Sequence, residues 1–124
     1  MDVWKLAFLN NKINNVFDGY QEKVSSPVGA SRELDTTVAN VFNLTTFEEE
    51  TTITFKTPAS GTNLYSMTVI ITQGVTPQTI NLPVINWAGG TPPTLTGVGT
   101  TYILTFATLN NGTNWYGMNG GAFT

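Results

Sequence analysis

The chain has 124 residues, 40% of them hydrophobic, a mean hydropathy near zero and a formal charge of −3 from five Lys and Arg against eight Asp and Glu. That suits one globular domain; it speaks against a disordered polymer, a Cys-stapled mini-fold and a membrane span, which needs about 18 consecutive apolar residues. A net negative chain without clustered Lys and Arg also argues against nucleic acid as a partner.

From the N-terminus, the spacing predicts a helix over residues 3–18, with Asp2 as N-cap and Gly19 at the stop. Leu6, Leu9, Ile13, Val16 and Tyr20 step by three and four along one seam, while Asn10, Asn11, Asn14 and Asn15 fall largely off it. Asparagine is a poor helix former and two heptads are too few for an independent coiled coil, so the seam has to pack on something. The N-terminal "MDVWKLAFLNNKINN" has no sustained apolar run followed by a small-residue cleavage site, as a signal peptide would. Residues 1–22 are read as an attachment or oligomerisation helix acting through Trp4, Leu6, Phe8, Leu9, Ile13, Val16 and Tyr20, with docking on the chain's own domain as the alternative. Residues 23–39, punctuated by Ser-Ser-Pro and mixed charge, are read as a connector, with a weakly signalled helical turn around residues 34–41.

Residues 40–124 read as all-β. Strands are expected over residues 41–46, 51–57, 64–72, 78–85, 101–108 and 113–118. In "YSMTVIIT", Tyr65, Met67, Val69 and Ile71 share one face; Ile53 and Phe55 do so in "TITF", and Tyr102, Leu104 and Phe106 in "YILTF". Asn111-Gly112 in "LNNGTNW" is suited to the positive φ angles of a type I′ turn. Short strands at even spacing between Gly- and Pro-marked turns predict a mainly β fold: an antiparallel, jelly-roll-like β-sandwich preceded by the short helix.

Charge is distributed unevenly. Every Asp, Glu, Lys and Arg falls between Asp2 and Lys56, and none occurs from Thr57 to Thr124. Folded surfaces are normally kept soluble in part by mixed charges. A long neutral stretch therefore suggests a surface that is covered by neighbours or built from neutral hydrogen-bonding groups, although compositional drift would produce it too. With no His and no Cys, the usual nucleophile–base pairs and soft metal sites are absent. The carboxylates Asp2, Asp18, Glu22, Glu33, Asp35 and Glu48–Glu50 lie away from the aromatic-rich half, so no catalytic residue, metal or cofactor is assigned. The Glu48-Glu49-Glu50 run could hold a hard cation such as Ca²⁺, but an acidic turn of this kind is more often simply solvated. Trp87, Tyr102, Trp115 and Tyr116 are the candidate ligand or subunit contacts. Aromatic faces among Asn and Thr suit a neutral sugar, yet each ring is more readily a core or interface residue.

The C-terminal half, "INWAGGTPPTLTGVGTTYILTFATLNNGTNWYG", resembles the repeated ending of many tailed-bacteriophage fibre, baseplate and related virion proteins. Trp87, Gly89, Gly90, Pro93, Leu95, Phe106, Gly112, Trp115, Tyr116 and Gly117 carry the likeness, and "NVFNL" and "TITF" fit the earlier strands, so it spans roughly residues 39–118. Where such proteins often have acidic residues before the "L-T-F" strand and in the last hairpin, this chain has Thr and Asn. The resemblance implies a non-enzymatic β-sandwich at the virion surface, commonly a homotrimer, joined to tail, baseplate or major capsid proteins and touching the host, with a host-surface glycan as one conceivable ligand. A tail-associated fibre module is the leading expectation. A capsid decoration (cement) protein suits a sandwich with an anchoring helix, and a free carbohydrate-binding module is the third class.

Overall fold

The structure is a computed structural model that describes residues 3, 5, 22–58 and 63–124. It is mainly β. The strands are β1 (Val24–Ser25), β2 (Ser31–Leu34), β3 (Val41–Leu44), β4 (Glu50–Phe55), β5 (Tyr65–Thr72), β6 (Thr79–Asn81), β7 (Asn86–Trp87), β8 (Thr101–Thr108) and β9 (Tyr116–Phe123). Six form one sheet in the order β1-β3-β5-β8-β9-β7, and three form a second in the order β2-β4-β6. The expected N-terminal helix and its residues Trp4, Leu6, Phe8, Leu9, Ile13, Val16 and Tyr20 lie outside the described residues; Val3 and Lys5 are helical. Among the described residues the one delimited helical element is a 3-10 turn, Ala88–Gly90.

The expectation of antiparallel pairing is corrected. From β1 to β6 the chain alternates between the two sheets, so each strand is followed by one in the other sheet. A chain that crosses over and returns runs in its original direction, and so β1 with β3, β3 with β5, β2 with β4 and β4 with β6 all pair parallel. Antiparallel pairing is confined to β5–β8 and β8–β9, and β7 joins the outer side of β9 in parallel.

The alternation read in the sequence sets the buried side of the larger sheet. Met67, Val69 and Ile71 on β5 lie opposite Phe106, Leu104 and Tyr102 on β8, all buried. Phe42 and Leu44 of β3 join them, and Leu34 and Ile53 of the smaller sheet belong to the same core cluster. An aromatic chain ties the sheets together. Phe55 of β4 meets Phe106 at 5.0 Å and Trp115 at 5.1 Å, and Trp87 meets Phe106 at 5.6 Å, all edge-on.

Part of the segment read as a connector is sheet. In β2, "SREL", the inward positions are Arg32 and Leu34. Arg32 is 1% exposed. Its guanidinium donates three hydrogen bonds of 2.9 Å, from Nε to the Gly29 carbonyl, from Nη1 to that of Thr45 and from Nη2 to that of Thr46. The cation also lies 4.7 Å from the centre of the Phe47 ring. Burial pulls its pKa down, Glu48 partly offsets this, and an arginine stays protonated in proteins. The fork thereby holds a turn in which Thr46 has φ 53°, a left-handed conformation uncommon for a residue with a Cβ. The helical turn expected around residues 34–41 is a single turn: the Asp35 carbonyl accepts from the Val38 amide at 2.9 Å and the Ala39 amide at 3.3 Å, and its carboxylate accepts from the Thr37 amide and hydroxyl.

Candidate binding site

Two surfaces poor in charge stand out. The first is the outer side of the six-stranded sheet. Register places Val41, Thr68, Thr105 and Met118 in one row across four strands and Ile70 beside Ile103 in the next. Ser66, Ala107 and Tyr116 form a row on the other side. Tyr116, Met118 and Phe123 are more than half exposed. A shallow hollow of about 310 Å³ crosses this face, with Glu22 and Asn40 at one end and Tyr116 and Met118 at the other. No strand of this sheet contains an Asp, Glu, Lys or Arg.

The second surface is a groove of about 570 Å³ on the side of the molecule where β6 and β7 form the edges of their sheets. One wall is residues 78–85 and the other is residues 90–96, with Trp87 between them in the chain. The walls are clamped from behind by Gln73, which is 2% exposed. Its Nε2 donates to the Gln78 carbonyl at 2.9 Å and to the Leu95 carbonyl at 2.7 Å, and its Oε1 accepts from the Gln78 amide at 3.0 Å. The far wall is pinned again beyond Leu95, where the Gly97 amide donates to the Tyr102 hydroxyl at 2.8 Å. Between β7 and this wall, Gly89 and Gly90 both take φ near 75°, a double left-handed turn that glycine adopts without strain. Trp87 sits against Gly117, where a Cβ would come within 3.0 Å of its ring and 2.7 Å of Ile85. Only glycine on β9 allows β7 to lie this close.

The four aromatic candidates separate on this frame. Tyr102 and Trp115 are core residues, 6% and 5% exposed. Trp87 is half-buried and lines the groove, whereas Tyr116 is exposed on the outer face of the larger sheet. The structure does not bring the four to one site. Sequence reasoning missed Gln73, a lone amide at the end of a strand, and Asn81, whose Nδ2 donates to the Glu50 carboxylate at 2.8 Å. Both act through pairings between distant parts of the chain.

Among the described residues no group of three or more His, Cys, Asp and Glu side chains is placed to share a metal ion. No helix among them is long and apolar enough to cross a membrane. In comparisons with protein-family models, curated proteins and solved structures, nothing matches the chain.

Proposed function

We propose that the chain is a non-enzymatic structural module of a tailed-bacteriophage virion surface, a β-sandwich of mixed sheets that associates with copies of itself as a homotrimer. One observation carries the reading: the six-stranded sheet turns an uncharged, partly apolar face outward. Sheet proteins that stay monomeric usually blunt such faces and edges with charge, and exposed apolar area of this kind marks association. Threonine and apolar side chains on that face can pack against a like surface without burying a charge from its strands. The sequence pattern from Trp87 to Gly117 supports the virion setting, with residues 1–22 as the attachment segment and tail or capsid proteins as its partners.

The test is the copy number of the protein in purified particles, set against the major capsid protein by quantitative mass spectrometry. A low ratio is expected, because a tail-associated module is present at a few sites. A ratio of the same order as the capsid protein would make it a decoration protein, and absence from particles would overturn the virion reading. Deleting residues 1–20 is expected to abolish incorporation while leaving a folded β domain.

A further inference from the structure

We infer that the groove between residues 78–85 and 90–96 binds a neutral saccharide, with Trp87 as the stacking surface and Asn81 as the directing amide. This site is separate from the face used for assembly and does not depend on it.

The groove is built in advance of any ligand. Its volume, about 570 Å³, lies within the range of small-molecule sites, and the buried Gln73 amide fixes one wall to the other through their backbones. A ligand entering it meets two walls already tied at Gln78 and Leu95, and this lowers the ordering cost of binding.

The lining chemistry selects the class. Trp87, Pro92 and Pro93 offer flat apolar surface, and Gln78, Thr79 and Asn81 interrupt it with amides and a hydroxyl. A lipid would leave these polar groups without partners, at a desolvation cost. A nucleotide or an ionic peptide calls for charged partners, and none of the described residues lining the groove is charged. A sugar ring presents both things the groove accepts, C–H faces for an aromatic ring and hydroxyls for amides. Trp87 is held in place: part of its ring lies against Gly117 and it packs edge-to-face with Phe106, while the residue still lines the groove.

Charge then narrows the class to neutral sugars. The Asn81 amide donates one N–H to Glu50, which orients it and leaves its carbonyl and second N–H available to hydroxyls. The same carboxylate disfavours an acidic sugar, and no Lys or Arg lines the groove to offset it.

The experiment applies the labelled full chain to a microbial glycan array carrying neutral and acidic sugars. Array hits are then titrated by saturation-transfer NMR. At least one neutral glycan is expected to bind saturably with a Kd of about 1 mM or tighter, ahead of every acidic glycan. Trp87→Ala and Asn81→Ala are each expected to weaken it about tenfold or more, and Glu33→Ala to leave it unchanged. Asn81 lies outside the core, so its variant, checked by thermal melting, keeps the test valid if Trp87→Ala unfolds. Absence of neutral-glycan binding, preference for an acidic glycan, or binding indifferent to Asn81→Ala in a folded chain would each overturn the site. A monomeric chain that binds sugar would contradict the assembly reading alone, and a trimer that binds none would contradict the site alone.

Discussion

The two sheets are built from the same chain by the same alternation of strands, yet they handle charge in opposite ways. Arg32, Glu33 and Glu50 lie in the three-stranded sheet, with Asp35 and Lys56 at its strand ends. The six-stranded sheet contains no charged residue. The small sheet therefore meets water in the ordinary manner and even turns one cation inward, where three carbonyls satisfy it. The large sheet relies on apolar packing inside and on threonine, asparagine and bare apolar groups outside. Charge on a sheet face works against unwanted association. Its absence from one sheet of the pair is the basis for proposing that sheet as a contact surface.

Truncation inside the large sheet should cost most. Phe106→Ala removes the ring that meets both Phe55 and Trp87 and is expected to lower stability by about 3–5 kcal/mol in urea unfolding. In the small sheet the sensitive residue is the buried cation. Arg32→Met strips partners from three carbonyls and is expected to cost about 3 kcal/mol in the same assay. Arg32→Lys should recover little, because an ammonium cannot reproduce the fork. An Arg32→Met variant as stable as the parent would erase the contrast between the sheets.

Smaller effects sharpen it. Thr51, on the inner side of β4, is fully buried and its hydroxyl has no hydrogen-bond partner. Thr51→Val keeps the shape and removes the unmet group, so a gain of about 1 kcal/mol is expected. The smallest effect is a pH dependence at the edge of the small sheet. Asp35 has its pKa lowered, first by hydrogen bonds from Thr37 and then by Lys56, whose Nζ is 3.2 Å away. A depressed carboxylate contributes its stability above its unfolded pKa, about 3.9, and loses it as pH falls through the folded value. The stability difference between the parent and Asp35→Asn should thus be constant near neutrality and shrink below about pH 4. A difference that grows on acidification would reverse the sign argued here.

How much of this was legible in the sequence depends on whether the information is local. The inward faces of β5 and β8 were, because period-two alternation needs only neighbouring residues. The Asn111-Gly112 turn was too: both have positive φ, and the Thr113 amide donates to the Asn110 carbonyl. β2 was missed because an arginine occupies an inward position, and two of the three carbonyls that satisfy it come from a loop 13 and 14 residues away. The final strand was placed too early. "MNGGAF" has no alternation, and a register shift between Ile103 and Leu104 accommodates its glycines. Expected strand 78–85 shrank to Thr79–Asn81, with Pro77 and Pro83 nearby. Parallel pairing was beyond reach, since nothing in a strand's own residues tells which sheet the next strand enters. At the candidate site, Trp87 could be seen from its aromatic and turn context, but the clamp of Gln73 could not.

The proposed role of the six-stranded sheet is to join copies of this chain through its outer face. It is tested most directly by native mass spectrometry of the full chain beside Ile103→Lys, which places one charge in the middle of that face. A homotrimer is expected for the parent and a folded monomer for the variant. A parent that remains monomeric at about 100 μM, or a variant that assembles as before, would contradict that role.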